Sequence, residues 1–169
     1  MPTSAPSTTE AAVASGLYEK DFVLWSTEQA RAIREAAAAR LNTPAPIDWE
    51  NVAEEIETLG RSECSALRSH LLVVAEHLMK LEASPAKVPR ADWTATVEAQ
   101  RGQVEALLND SPSLRREVAP MLEWAIPRAR RIAAASLAKY RERPRTDLAQ
   151  PTYTEDQVLG DWFPGTRDS

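Results

Sequence analysis

Two histidines and one glutamate of this chain lie on one side of a long predicted helix. Their side chains are of the types that transfer protons in acid–base catalysis. At about 100° per residue, Glu63, His70 and His77 lie within one narrow arc of that helix. The apolar residues of the same arc are Trp49, Val52, Ile56, Leu59, Leu67, Val74 and Leu81. Because a buried ionisable group needs a hydrogen-bonding partner, we expect another helix to supply one, with Gln100 as a candidate. The sequence therefore predicts a polar seam of Glu63, His70, His77 and Gln100.

Two interpretations of this seam remain open. The favoured one is a lock between helices that fixes their register. The alternative is an enzyme or a metal-binding bundle, in which His70 or His77 acts with a carboxylate from another helix. One shared metal ion is disfavoured, because two histidines seven residues apart are separated by roughly 10.5 Å along a helix, whereas a zinc ligand lies about 2 Å from its ion.

A second set of ionisable groups, Glu50, Glu54 and Glu57, forms an acidic face at positions i, i+4 and i+7 of the same helix. Carboxylates at this spacing resemble half of a metal site in a helical bundle, but the Glu-x-x-His pair of di-iron bundles is absent from the chain. Arg61 follows Glu57 by four residues, an orientation that favours a solvated ion pair. We expect a solvated face and neither a metal nor a cofactor.

Basic residues accumulate further along the chain, in the segment 128–145. A candidate basic surface comprises Arg128, Arg130, Arg131, Arg141, Arg143 and Arg145. Residues 115–145 carry a net charge of +6 (nine bases, three acids), whereas residues 44–63 carry −5 (one base, six acids) and the whole chain −5. Such an uneven distribution allows internal complementarity, head-to-tail association or an anionic partner. The favoured interpretation is a solvated or acid-paired surface, and nucleic-acid binding is a second possibility.

Several other classes of protein find no support in the residues. Cys64 is the only cysteine, so neither an internal disulfide nor a CxxC metal site can form. The five glycines are scattered and build no phosphate-binding loop. The N-terminal residues do not resemble a secretory signal, and no apolar run approaches the ~18 residues that cross a bilayer. We therefore expect a cytoplasmic protein that makes no contact with a membrane.

The elements that position these groups are predicted to be helices. We expect an all-α, single-domain bundle of about four main helices around one long central helix, with a short C-terminal helix. The predicted helices span 19–41, 49–82 and 91–109, with a fourth that begins at Ser111-Pro112 and a fifth that Thr154 and Gln157 open as a capping box. A 1–16 disordered N-terminal tail, a 17–163 helical domain and a 164–169 C-terminal tail complete the chain.

Glycine and proline bear on the continuity of two of these helices. Gly60 leaves the apolar stripe in phase, so the long helix is expected to continue through it. Pro120 and Pro127 are expected to break or kink the fourth helix. The inner face predicted for that helix consists of Leu114, Val118, Leu122, Ala125, Ala129, Ile132 and Ser136.

Five local patterns resemble those of a bacterial family known as domain of unknown function 29. They are Tyr18-x-x-Asp21-Phe22-x-x-Trp25, the block from Asp48-Trp49-Glu50-Asn51 to Gly60-Arg61-Ser62-Glu63, His77-Leu78-x-Lys80, Glu98-x-Gln100-Arg101 and Asp110-Ser111-Pro112-Ser113-Leu114. Trp93 and the pair Ala129-Arg130 add to the resemblance. The resemblance covers about residues 17–163. It implies an all-helical, single-domain cytoplasmic protein, and the family offers no established activity or catalytic residue.

The favoured function is a non-enzymatic interaction or adaptor module that docks a protein partner or a second copy through its helix faces. Leu72 and Met79 are candidate exposed apolar contacts, because they lie opposite the predicted seam. Another helix of the same chain covering them is the alternative. The other hypotheses are a regulatory nucleic-acid-binding protein that uses 128–145, and the less favoured enzyme.

Overall fold

The structure is a computed structural model that describes residues 16–39, 47–148 and 153–165. Within these ranges the regular elements are helices, which confirms the all-α class with four main helices, one of them long, and a short C-terminal helix. They are α1 (Phe22–Ala38), α2 (Trp49–Ala83), α3 (Arg90–Asp110), a 3-10 helix (Pro112–Leu114), α4 (Arg115–Lys139) and α5 (Glu155–Leu159). Among the helices of this part of the chain, none combines the length and the apolar character needed to cross a membrane.

Contacts divide the chain into two compact units. The first unit contains residues 1–65 and 107–114, and the second contains residues 66–106 and 115–169. The single domain over 17–163 stays a prediction. The predicted tails lie almost entirely outside the described residues, because only Gly16 of the first and residues 164–165 of the second are described.

A buried carboxylate sets the start of α1 in the first unit. Asp21 is the N-cap, and its Oδ1 accepts a hydrogen bond from Leu24 N at 2.9 Å. Ser113 donates twice to the same carboxylate, from its backbone N at 2.6 Å and from its Oγ at 2.8 Å. Satisfying the free N–H groups of a first turn is what an N-cap does. The helix therefore begins at Phe22, three residues later than the predicted start at 19.

Helix α2 is continuous from Trp49 to Ala83, so the predicted passage through Gly60 is confirmed. Gly60 is buried where α1 comes close in the first unit. A Cβ added to Gly60 would lie closer than 3.0 Å to Ser26 Oγ and 3.4 Å from Ser26 Cβ. The glycine is thus required by the close approach of two helices, not by a turn in the chain.

The buried side of α2 contains the predicted Leu67, Val74 and Leu81, but in the first half of the helix it is displaced by one residue from the predicted stripe. Buried positions recur at alternating steps of three and four along its second half, and the first half adds two small residues at the same phase. These positions are Ala53, Gly60, Leu67, Leu71, Val74, Leu78 and Leu81. Val52 is 39% exposed and Leu59 is 49% exposed, so their prediction as inner residues is wrong. The physical reason is the close helix approach, which requires small side chains on the buried side.

Helix α4 continues through both of its prolines, from Arg115 to Lys139, so a break at either is excluded. Pro120 and Pro127 are exposed, and so are Arg116 and Glu123, the residues four positions earlier whose carbonyl groups lose a backbone donor. Water can reach these carbonyl groups, which removes most of the cost of leaving them without a helical partner.

The predicted inner face of α4 is correct for its first half only. Its buried residues are Val118, Leu122, Ala125, Ala129, Ala133 and Leu137. Ile132 is 41% exposed and Ser136 is half-buried, so both were predicted one position away from the true inner residues. The displacement leaves a β-branched apolar side chain on the surface of the second unit.

The C-terminal segment is fastened to α3 within the second unit. Thr154 and Gln157 form the predicted capping box at the start of α5. Arg101 donates to three backbone oxygens of this segment, those of Val158 at 2.9 Å, Gln157 at 2.8 Å and Trp162 at 2.8 Å. Burial lowers the pKa of the Arg101 guanidinium below its ordinary value. Arg101 thus attaches the C-terminal segment to α3, and Tyr153 attaches it to α2 through a hydrogen bond to Glu82 at 2.6 Å.

Candidate functional site

An apolar groove flanked by arginines lies on the second unit. We call it the basic groove, and it is lined by Leu72, Arg128, Arg131, Ile132 and Ala135. Its volume is about 450 Å³. Leu72 comes from α2 and is half-buried, and the other four residues follow one another on the outer side of α4. An apolar surface rimmed by charge is typical of a site that binds another molecule.

Arginines next to the basic groove are held by an aromatic ring instead of by acids. The Arg128 guanidinium lies 4.1 Å from the centroid of the Trp124 ring, and Nη1 of Arg128 donates to the Trp124 carbonyl at 3.0 Å. Arg68 also lies over this ring, at 4.8 Å. In the described part of the chain, no ion pair involves Arg68, Arg128 or Arg131. Their positive charges therefore remain available to a partner.

The other members of the predicted basic surface do not continue this groove as one phosphate-tracking stripe. Arg145 donates from its backbone N to Ala83 O at 2.7 Å and from Nη2 to Pro85 O at 2.9 Å, which ties down the connection after α4. Arg141 takes a left-handed conformation, with φ of 56°, at the end of α4. Arg143 is exposed and Arg130 is half-buried with a partner of its own.

The predicted acidic face lies in the first unit and meets an arginine of α1. Arg34 bridges two of its members, with Nε 3.0 Å from Glu50 and Nη2 2.8 Å from Glu57. Through its hydrogen bond, Arg34 holds the pKa of Glu57 below its ordinary value. Arg61 Nη1 lies 3.5 Å from Glu57, at the predicted i+4 spacing, and Glu54 is exposed. Nowhere in the described residues do three or more histidine, cysteine or acidic side chains converge as metal ligands would.

The predicted polar seam is only partly assembled. His70 and Gln100 meet, with 2.6 Å between His70 Nδ1 and Gln100 Oε1 in the second unit. His77 Nδ1 lies 3.0 Å from the carbonyl oxygen of Val73, one turn earlier in the same helix. Both rings and Glu63 are half-buried, beside the fully buried residues and not among them. The role of this seam as a lock stays a prediction.

Glu63 lines a separate cleft of about 360 Å³ in the first unit, together with Tyr18, Glu19, Phe22 and Asp110. Trp25 completes an aromatic cluster, with its ring centroid 4.8 Å from that of Tyr18 and 5.6 Å from that of Phe22. Three carboxylates and two aromatic rings therefore share one surface depression.

Apolar and acidic residues alternate along an exposed side of α2 in the first unit. We call this side the acidic ridge, and it consists of Asp48, Val52, Glu55 and Leu59. The spacing of i, i+4, i+7 and i+11 puts the four residues on one face of the helix. All four are exposed. Asp48 directly precedes α2, and its carboxylate accepts hydrogen bonds from Asn51 N at 3.2 Å and from Asn51 Nδ2 at 2.6 Å. Neither Asp48 nor Glu55 takes part in an ion pair within the described ranges.

Leu72 and Met79 were predicted as exposed apolar contacts. The prediction is partly correct for Leu72 and wrong for Met79. Leu72 lines the basic groove and is half-buried. Met79 is fully buried, because the last part of α2 is buried on more than one side, with Ala75 and Lys80 buried in addition to the stripe. Ile132, Val52 and Leu59 were missed as surface residues, since each is apolar and each lies one position from a buried residue. The spacing of Arg128 four residues after Trp124 is a sequence signal that could have pointed to the outer side of α4.

These features define an all-α protein whose conspicuous surfaces are a ridge and a groove. The family model of "Domain of unknown function DUF29" matches residues 17–163, and the chain belongs to this family. A crystal structure of an alpha-helical protein of unknown function from Rhodospirillum rubrum is similar, with a TM-score of 0.73 and 26% identity over 85% of this chain and 89% of that chain. No curated protein matches this chain.

Proposed function

We propose that this protein is a non-enzymatic interaction module that binds an acidic, amphipathic helix in its basic groove. The observation that carries the proposal is the combination of an exposed apolar floor with arginines that have no acidic partner in the described residues. Helix-in-groove recognition uses this chemistry, because apolar anchors on one helix face enter the groove while charges at the rim set the orientation.

The fixed position of Arg128 supports specific recognition. Its guanidinium is already positioned by the Trp124 ring and carbonyl group, so less side-chain entropy is lost when a carboxylate binds it. Arg131 is exposed, has no ion pair among the described residues and supplies a second charge at the rim.

Nucleic-acid binding by residues 128–145 is the second candidate, and two contacts make it less favoured. Two guanidinium groups already cover the Trp124 ring, which removes the stacking platform that single-stranded binding uses. Arg145 is committed to the carbonyl groups of Ala83 and Pro85. An enzyme built on His70 or His77 has less support, because the partners of these rings are an amide side chain and a backbone carbonyl. A cytoplasmic location agrees with the single cysteine, Cys64.

The test uses a fluorescein-labelled amphipathic peptide with leucines at i and i+7 flanked by glutamates, and a labelled duplex of random sequence as the competing probe. We expect the peptide to bind, and Ile132→Ser to weaken its binding at least about tenfold, as loss of a central apolar anchor does. Val88→Ser is the matched control, because Val88 is 91% exposed and lies outside the groove.

Salt dependence separates the two candidates. Raising the salt concentration from 50 to 200 mM weakens phosphate-dominated binding by about 10³-fold or more when six or more phosphates are contacted. Peptide binding to an apolar groove with two arginines should weaken far less. A peptide affinity that Ile132→Ser leaves unchanged, or tighter binding of the duplex with the steep salt response, contradicts the proposal.

A further inference from the structure

We propose that the acidic ridge of a second copy of this chain binds in the basic groove. This inference rests on the proposed function and identifies the partner of the groove. The ridge, formed by Asp48 just before α2 and by Val52, Glu55 and Leu59 within it, is an exposed face with apolar and acidic residues in alternation. That is the chemistry which the groove's apolar floor and two arginines accept.

Charge complementarity identifies the occupant. Within the described ranges neither ridge carboxylate has an ion pair, although Asp48 accepts two hydrogen bonds from Asn51, and the two arginines of the groove have no ion pair either. The acid-rich segment 44–63 and the arginine-rich segment 115–145 have net charges of −5 and +6. Opposite potentials of this kind guide encounter and fix register more than they add affinity.

The lengths of the two surfaces also match. Val52 and Leu59 are seven residues apart on α2, and Arg128 and Ala135 are seven residues apart on α4. At 1.5 Å per residue, each pair spans roughly 10.5 Å along its helix. The two apolar residues of the ridge therefore span the same axial length as the part of α4 that lines the groove. Val52 is 39%, Leu59 49% and Ile132 41% exposed, so burying them against each other removes three large apolar side chains from water.

A contact between two different surfaces is heterologous, and a heterologous contact builds rings or open chains of copies. One ridge–groove contact leaves a free groove on one copy and a free ridge on the other, so copies either close into a ring or continue as a chain. Because few side chains take part, the contact belongs to the small and transient class, and we expect a dissociation constant on the order of 10–100 µM.

The first measurement is sedimentation equilibrium of the full 169-residue chain, whose mass is 18.7 kDa. The weight-average mass should rise above that of the monomer as concentration passes through this range. A ridge variant, Val52→Ser with Leu59→Ser, and a groove variant, Arg131→Glu with Ile132→Ser, should each remain monomeric. Circular dichroism verifies that each variant retains its helices, and Val88→Ser should associate as the unsubstituted chain does.

Mixing the two variants is the decisive measurement. The ridge variant keeps an intact groove and the groove variant keeps an intact ridge, so an equimolar mixture should form one-to-one dimers and nothing larger. Association through one self-complementary surface cannot give this result. A variant that has lost such a surface could bind neither a second copy of itself nor the other variant.

The remaining outcomes separate this inference from the function on which it rests. A chain that stays monomeric at millimolar concentration while the acidic peptide binds its groove overturns the self-docking inference and leaves the proposed function standing. Self-association that persists in either variant, or a mixture that stays monomeric, places the contact elsewhere and also overturns the inference. Failure of both self-association and peptide binding overturns both proposals.

Discussion

Replacing Gly60 by alanine tests the close approach between α1 and α2 in the first unit. Alanine in a helix interior is worth about 1 kcal/mol over glycine, so helix propensity alone predicts a more stable protein. The added Cβ, however, would lie closer than 3.0 Å to Ser26 Oγ, which is fully buried and donates to Val23 O at 2.9 Å. Overpacking costs about 1–3 kcal/mol, and displacing the hydroxyl group loses a hydrogen bond worth about 1 kcal/mol.

The net expectation for Gly60→Ala is a loss of about 2 kcal/mol in the free energy of unfolding, which corresponds to a Tm lower by about 4–8 °C for a chain of this length. Urea denaturation followed by far-ultraviolet circular dichroism measures it. Gly102→Ala is the matched control, because Gly102 lies in α3 with nothing within 4 Å of the added Cβ. The control should be stabilised by about 1 kcal/mol.

Ser26→Ala should rescue the substitution and thereby locate the clash. Removing Oγ leaves Cβ atoms 3.4 Å apart, an ordinary contact. The free energy of unfolding of Ser26→Ala with Gly60→Ala should therefore lie within about 1 kcal/mol of that of the original chain, with a favourable coupling energy of about 3 kcal/mol between the two sites. The reasoning is refuted if Gly60→Ala alone is as stable as the original chain, or if Ser26→Ala brings no rescue.

Three further substitutions give independent checks. Asp21→Ala removes the acceptor of three hydrogen bonds at a buried N-cap and should cost about 3 kcal/mol in urea denaturation; a cost under about 1 kcal/mol argues against that geometry. Arg141→Gly relieves a left-handed backbone conformation and should stabilise the protein by about 0.5–1 kcal/mol, an expectation that any destabilisation contradicts. Burial and a hydrogen bond to a carboxylate raise the pKa of Tyr153, so its contribution to stability is complete below about pH 10 and lost as the pH rises further. In the Tyr18→Phe, Tyr140→Phe variant, absorbance at 295 nm should show no tyrosinate at pH 10.5 while the protein is folded, and a transition near pH 10 would disprove the burial.

Most of the fold could be predicted because helix signals are local. Apolar spacing and the caps fix where helices lie, and the capping box of Thr154 and Gln157 was visible in four consecutive residues. The N-cap role of Asp21 was present in the sequence as well, but its second partner, Ser113, is 92 residues away. Periodicity carries no information about such a contact, and the same is true of the carbonyl oxygens that Arg101 holds in the C-terminal segment.

Local sequence information did not determine which side of each helix is buried. The resulting error of one residue concerns the surface residues on which the proposed function depends. Apolar residues occupy two adjacent positions along α2, so hydrophobicity alone permits two phases that differ by one residue. The larger side chains, Val52 and Leu59, favour one phase, and close packing against α1 selects the other, in which Ala53 and Gly60 are buried.

The same displacement occurs in α4, where Ala133 is buried and Ile132 is exposed. Small residues on the inner side let helices approach closely, and the large apolar residue next to each is then left on the surface. These large apolar residues do not contribute to the core, because the small residues next to them fill the buried positions. Exposed apolar side chains of this kind cost solubility unless a partner covers them. Val52, Leu59 and Ile132 are all of this kind, and it is on them that both the ridge and the groove depend.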